Sequence, residues 1–266
     1  MFPVLLRFGD WSVSTLGLLY AVGVLAAFLW ALRRAPGMGV ACKTVCDAAI
    51  ITMLGFLAGG RLHYVLQHWA RFRGDLPAVA DLSRGGTAQY GGIVLMIFGL
   101  LLYARWRRQP AADLGAVLAA PVLLAVAIGR LGCYAQGCCF GRPTDGPLGV
   151  CFPPDARASR VGRDLLDAGG DGTLAPALHP TQLYSAGGAL LGLLLLVWLQ
   201  RRGAARGVLV GTALGALGLS RLVVDQFRYY EPSVFFLGWP INCWISATLL
   251  CAGVILVVRS SSSRRS

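Results

Sequence analysis

Residues 129–144, GRLGCYAQGCCFGRPT, crowd two arginines, three cysteines and four glycines onto the end of an apolar run. Arg130 falls where a membrane-spanning helix should be finishing, and a guanidinium at that depth costs about 3 kcal/mol or more unless something anionic meets it. Two more arginines lie in apolar runs: Arg61 in GGRLHY and Arg221 in LSRLVVDQFR. Asp225 follows Arg221 by four residues, so the two can pair on one helical face. Arg61 and Arg130 have no acid nearby in sequence. A lipid phosphate suits them, because a guanidinium can grip it with two hydrogen bonds. The alternative is snorkelling to headgroups or bonding to loop carbonyls. Three such arginines beside glycines and polar groups favour a functional cavity. The segment HPTQLY, His179 to Tyr184, opens a further apolar run. Pro180 suits a first helical turn, and a helix N-terminus attracts phosphate.

Cys133, Cys138, Cys139 and Cys151 fall in one inter-helix segment. A disulfide or simple packing ranks first for them, since an extracytoplasmic location permits disulfides. Thiol chemistry ranks second, because Arg130 or Arg142 could depress a cysteine pKa. A metal ranks last: CxxxxCC is not a CxxC spacing and no second ligand pair follows, so no metal site is expected. Cys42, Cys46, Cys243 and Cys251 read as small apolar residues.

The elements that must position these groups are membrane helices. The 266 residues are 56% hydrophobic and 14% charged, against about 25% charged for a soluble domain, and mean hydropathy is +0.64. Seven spans are expected, near 14–32, 45–66, 90–103, 114–131, 181–199, 207–224 and 241–258. The first apolar run is longer than a signal-peptide core of about 7–15 residues and reads as a retained span. The formal charge of +12 does not form a nucleic-acid stripe, and no binding motif for nucleic acid appears. Instead Arg33, Arg34 and Lys43, then Arg105, Arg107 and Arg108, then Arg201, Arg202 and Arg206, then Arg259, Arg264 and Arg265 fall on one side. The positive-inside rule makes that side cytoplasmic, with the N-terminus extracytoplasmic and the C-terminus cytoplasmic. The expected fold is therefore an all-α integral membrane protein of seven transmembrane helices. Residues 132–180 would form an extracytoplasmic cap between helices four and five. Residues 1–259 read as a single transmembrane domain and 260–266, SSSSRRS preceded by Arg259, as a disordered cytoplasmic tail.

Taken together and in order, these motifs resemble the prolipoprotein diacylglyceryl transferase family. GGRLHYVL is similar to its GGRxGYVL, QYGG to its HGG, residues 129–144 to its GRxGNFxNxExxGRxT, HPTQLY to its HPxQLYE, and RLVVDQFR to its RxxxEFxR. The resemblance runs from first span to last. It implies a seven-span enzyme of the bacterial inner membrane that moves a diacylglyceryl group from phosphatidylglycerol to the lipobox cysteine of a prolipoprotein, forming a thioether and releasing glycerol phosphate without a cofactor. It implies Arg130, Arg221 and Tyr90 as the catalytic residues, the arginines on the phosphate and Tyr90 at the position of the family's histidine. Arg61, Gly91, Gly92, Arg142, His179, Gln182, Tyr184, Asp225 and Arg228 would bind substrate or support the pocket.

Against the family pattern, Tyr90 replaces a histidine, Cys133 an asparagine, Cys138 a glutamate, and Asp225 shortens another glutamate. The phosphate-holding half is kept and the acceptor-handling half altered. A tyrosine with a pKa near about 10 is a poor base at neutral pH, which leaves His63 or His179 as alternatives. A paralogue using another acceptor, a non-catalytic lipid-binding protein and a thiol-redox protein built on Cys133, Cys138 and Cys139 are the rival readings.

Overall fold

The computed structural model describes residues 4–8, 11–81, 89–153, 156, 158–159, 161–162, 176–230 and 235–262. Seven long helices dominate the described residues: α1 Thr15–Arg34, α2 Cys42–Gln67, α3 Gln89–Trp106, α4 Ala111–Gln136, α5 Thr181–Arg201, α6 Arg206–Asp225 and α7 Ile241–Ser262. They are rich in leucine and alanine, which lose little side-chain freedom in a helix. A helix also satisfies its backbone internally, as an apolar medium requires. Six are long and apolar enough to cross a membrane; the apolar part of α3, Gly91–Trp106, is shorter. Their outer faces expose Leu191, Leu194, Val94 and Phe98 at 60–70%. A water-soluble monomer does not present contiguous apolar surface of that kind; this is a multi-pass membrane protein.

Among the described residues, three antiparallel two-stranded ribbons accompany the helices: β1 Val4–Phe8 with β2 Trp11–Ser14, β3 Val150–Cys151 with β4 Ala177–Leu178, and β5 Phe235–Phe236 with β6 Trp239–Pro240. Backbone groups outside the helices still need partners, and short ribbons supply them. α7 runs through Ser262, where the Ser261 and Ser262 hydroxyls donate to the carbonyls of Val257 and Val258 at 2.8 and 3.0 Å. Residues 263–266 of the expected tail lie outside the described residues.

The chain divides into two compact units, Ala31–Val117 and the combination of Met1–Trp30 with Leu118–Ser266. In the first, α2 and α3 approach through glycine. A Cβ on Gly59 would collide with the Gly91 carbonyl, and one on Gly92 would meet the Phe56 carbonyl oxygen at 2.6 Å. In the second, α5, α6 and α7 pack the same way. A Cβ on Gly192 would sit 2.7 Å from the Ala216 Cβ, and one on Gly211 would sit 2.6 Å from the Gly253 carbonyl oxygen. Small residues let backbones approach where lipid offers helices no hydrophobic drive to associate. Between α4 and α5, Phe140, Phe152, Ala158 and Leu178 form a buried apolar cluster of their own, flanked by Tyr134 and Tyr229.

Candidate active site

The end of α4 explains the cysteines. Gly137 takes a left-handed φ of 68°, which glycine adopts at no steric cost. The Gly137 N–H donates to the Tyr134 carbonyl and the Cys138 N–H to the Cys133 carbonyl, both at 3.1 Å. This cap closes the helix's last carbonyls and folds the chain back over its final turn. Cys138 therefore returns to Cys133, its thiol donating to the Cys133 carbonyl at 3.6 Å. Cys139 follows at a φ of 63°, a conformation that costs a side-chain-bearing residue about 1–2 kcal/mol. Two side chains of α5 hold it there: Thr181 Oγ1 donates to the Cys139 carbonyl at 2.7 Å and Gln182 Nε2 to the Cys138 carbonyl at 2.6 Å. The three sulfurs lie within 4.8 Å of one another. All eight cysteines are free thiols. Tyr20, on α1, brings its hydroxyl within 3.6 Å of the Cys133 sulfur.

Beyond the cysteines, three segments distant in sequence are tied by their backbones. The Gly141 N–H donates to the His179 carbonyl (2.9 Å), the His179 N–H to the Arg142 carbonyl (3.1 Å), and the Arg142 N–H to the Phe227 carbonyl (2.8 Å). Gly141 is required here, because a Cβ would lie 2.5 Å from the Phe227 carbonyl oxygen and 2.6 Å from the His179 Cβ. The Arg142 side chain itself is exposed. His179 Nδ1 is 3.1 Å from the Tyr184 hydroxyl, and Phe227 packs against both rings.

The Phe227 segment carries the chain to a buried ionic cluster. Arg221 Nε meets Asp225 Oδ1 at 3.2 Å, as the i,i+4 spacing predicts. Tyr230, which the motifs do not include, completes the cluster. Its hydroxyl donates to Asp225 Oδ1 at 2.6 Å and accepts from Arg221 Nη2 at 3.0 Å. Burial, chiefly, pushes the Tyr230 hydroxyl up from its ordinary pKa, with the Asp225 hydrogen bond adding to it and Arg221 and Arg228 opposing, so it stays a donor. Only its position within five residues of Asp225 hinted at it, and that spacing is not helical because α6 ends at Asp225.

Arg228 links this cluster to the cysteines. Its guanidinium lies 5.5 Å from the Tyr230 ring centre, and it joins Arg130 in stabilising negative charge at Cys139. The Cys139 thiol is held well below the ordinary thiol value, first by hydrogen bonds from Cys133 and Cys138 and then by Arg228 and Arg130, against the opposing effect of burial. Cys138 moves up, because hydrogen bonds to Cys133 and Cys139 favour its protonated form and burial disfavours its thiolate. Gln182 is fully buried, and its Oε1 accepts no hydrogen bond among the described residues.

The remaining site residues fall in the other unit. Arg61 is buried, and its guanidinium donates to three loop carbonyls: Val79 from Nε at 2.9 Å, and Ala78 and Asp81 from Nη2 at 2.7 and 2.8 Å. It also lies 5.2 Å from the Phe72 ring centre. Loop carbonyls were the alternative to a phosphate partner, and this geometry makes Arg61 a clamp on residues 78–81. His63 Nδ1 accepts from the Gly91 N–H at 3.1 Å, one of the donors left open in the first turn of a helix. That bond places the His63 proton on Nε2 and gives the ring a structural task. Gly91 and Gly92 lie at the α2–α3 contact. Tyr90 belongs to the first turn of α3; its side chain lies outside the described residues.

The sequence pattern of the prolipoprotein diacylglyceryl transferase family matches residues 3–259. Among curated relatives, a phosphatidylglycerol–prolipoprotein diacylglyceryl transferase of Methylocella silvestris is 33% identical over 272 residues, covering 96% of this chain and 92% of the relative. One of the same name from Rhodospirillum rubrum is 31% identical, covering 96% and 91%. Another from Rhodococcus jostii is 31% identical over 261 residues, covering 96% and 72%.

Proposed function

The chain belongs to the prolipoprotein diacylglyceryl transferase family, and from that premise we propose that it transfers the diacylglyceryl group of phosphatidylglycerol to the lipobox cysteine thiol of a prolipoprotein. The acceptor sulfur forms an S–C bond to the glyceryl carbon as the C–O bond to phosphate breaks. The electron pair leaves on glycerol phosphate. Negative charge grows on that leaving group, and fixed guanidiniums in a water-poor site stabilise it without reorganising. Arg130 and Arg221 take this role as catalytic residues. The observation that carries the reading is the joining of residues 141–144, 177–179 and 227–228 by their backbones, because it ties Arg228 and the Arg221–Asp225–Tyr230 cluster to the segment that follows α4, the helix carrying Arg130.

Asp225 and Tyr230 orient Arg221. Gln182 Oε1 suits a hydroxyl donor, such as the free glycerol headgroup of the lipid. His179, Tyr184, Arg142 and Arg228 frame the same region. In the other unit, Arg61 holds the loop at residues 78–81, Gly91 and Gly92 let α2 and α3 approach, and Tyr90 stands at the position of the family's histidine. Membership of the family supports an inner-membrane location, and the arginine groups support a periplasmic N-terminus and a cytoplasmic C-terminus, with residues 132–180 as a periplasmic cap between the fourth and fifth of seven spans.

The test is purified protein in phosphatidylglycerol vesicles with a lipobox peptide, read by the mass of the thioether product. Arg130→Ala and Arg221→Ala each lower turnover by about a hundredfold or more, the scale of removing a principal charge stabiliser. Absence of product from folded, lipid-binding protein overturns the proposal.

A further inference from the structure

The transfer needs a thiolate from an acceptor thiol whose ordinary pKa is about 8.5. The arginines serve the phosphate, and His63 Nδ1 is occupied by the Gly91 N–H. The cysteine trio has no task in the chemistry so far described. We propose that Cys133, Cys138 and Cys139 hold a thiophilic divalent cation of the zinc class, with a fourth position that receives the acceptor thiol.

Four observations carry this. The three sulfurs already lie within 4.8 Å of one another, whereas zinc–sulfur bonds of about 2.3 Å in a tetrahedral site place sulfurs about 3.8 Å apart. Small rotamer adjustments close that difference. The arrangement is also held from outside: the Gly137 cap folds Cys138 over Cys133, and Thr181 and Gln182 anchor the carbonyls of Cys139 and Cys138 at 2.7 and 2.6 Å. Ligands pre-positioned by supporting hydrogen bonds bind metal more tightly. The trio is also sheltered: Cys133 is buried, and Cys138 and Cys139 are half-buried. Finally, no fourth histidine, cysteine or carboxylate joins the group among the described residues. Three protein ligands with a fourth position left for water or substrate is the pattern of a zinc site that does chemistry.

This metal-assisted step rests on the transferase reading for its acceptor; the metal site itself does not. A coordinated thiol is deprotonated outright. Its proton passes to solvent, its sulfur attacks the glyceryl carbon, the C–O bond to phosphate breaks, and glycerol phosphate leaves with the electron pair. The ion keeps its oxidation state. The site would supply acceptor activation in a chain where a tyrosine and two cysteines stand at the histidine, asparagine and glutamate positions of the family pattern.

The decisive experiment uses the full-length wild-type protein in detergent, stripped of metal under reducing conditions and alkylated with iodoacetamide with and without one equivalent of Zn²⁺. Peptide mass mapping reads each cysteine separately. Zinc slows alkylation of Cys133, Cys138 and Cys139 by about tenfold or more, because a coordinated sulfur is no longer a free nucleophile. It leaves the exposed Cys42, Cys151 and Cys251 unchanged. No protection, or equal protection at all six, overturns the site. So does a pair within the trio that alkylates only after added reductant, which marks a disulfide. With Co²⁺ in place of Zn²⁺, a lipobox peptide shifts the sulfur-to-metal charge-transfer band, and its Cys→Ser analogue does not. Equal responses to the two peptides overturn the open fourth position. Thioether formation at the full rate by metal-free protein refutes the metal-assisted step and leaves the transferase reading standing. Protection of the trio with no thioether product refutes the transferase reading and leaves the metal site standing.

Discussion

Asp225→Asn tests the ionic cluster most directly, because it changes charge and almost nothing else. The Asp225 side chain is fully buried and that of Arg221 is 19% exposed. Oδ1 receives Arg221 Nε at 3.2 Å and the Tyr230 hydroxyl at 2.6 Å, while Oδ2 receives the Cys243 thiol at 3.8 Å. An asparagine can keep its oxygen at Oδ1 and turn its amide toward Cys243, so shape and two hydrogen bonds survive. What is lost is the Asp225 charge beside a largely buried guanidinium. Removing one member of a buried pair costs about 3–5 kcal/mol, and the residual solvent access of Arg221 with the retained hydrogen bonds argues for about 3 kcal/mol. At roughly 2–4 °C per kcal/mol for a chain near this size, the melting temperature falls by about 6–12 °C. The assay is thermal unfolding in detergent followed by near-ultraviolet circular dichroism. The Arg221→Met/Asp225→Asn double variant recovers much of the loss, since it replaces the buried charge with apolar volume. An Asp225→Asn melt within about 2 °C of wild type, which is under about 1 kcal/mol, refutes the argument. A double variant less stable than Asp225→Asn does so too.

Gly141→Ala drives a Cβ into the Phe227 carbonyl and the His179 side chain, so it costs about 1–3 kcal/mol of stability, measured by the same melt, and lowers transfer by more than that loss accounts for. In metal-free protein, the lowered pKa of Cys139 makes its alkylation fall less steeply with decreasing pH than that of an ordinary thiol, which slows by about tenfold per unit below its pKa; rates by peptide mass mapping check this. The sign for stability follows. A thiol held below its unfolded value contributes fully above that value, and the contribution fades as pH falls toward the folded value. Arg61→Lys cannot reach the carbonyls of Ala78, Val79 and Asp81 with a planar fork, so it destabilises the 78–81 loop by about 2–3 kcal/mol, read as faster hydrogen exchange across those residues.

Membrane character was legible in the sequence because it is a sum over the chain: apolar runs near 20 residues and arginine groups between them need no long-range information. The Arg221–Asp225 pair was legible for a related reason, since i,i+4 spacing fixes neighbours on any helix. Arg61 was not. Its partners are carbonyls of a loop 17 to 20 residues away, and a carbonyl has no residue-type signature. Tyr230 was missed because its reach back to Asp225 depends on how the chain turns after α6. The ribbons were missed because two-residue pairings such as β3 with β4 leave no periodicity to read.

The segment 129–144 shows both sides. By itself the sequence determined that Arg130 ends an apolar run and that this segment, with HPTQLY and RLVVDQFR, carries the family's pattern; residue types and order suffice for that. Only the tertiary structure decided that Cys133, Cys138 and Cys139 form a cluster. A spacing of five residues and then one does not converge on a continuing helix or an extended strand. It converges here because Gly137 takes a left-handed φ and folds the chain back, and because Thr181 and Gln182, more than forty residues onward, hold the returning carbonyls in place.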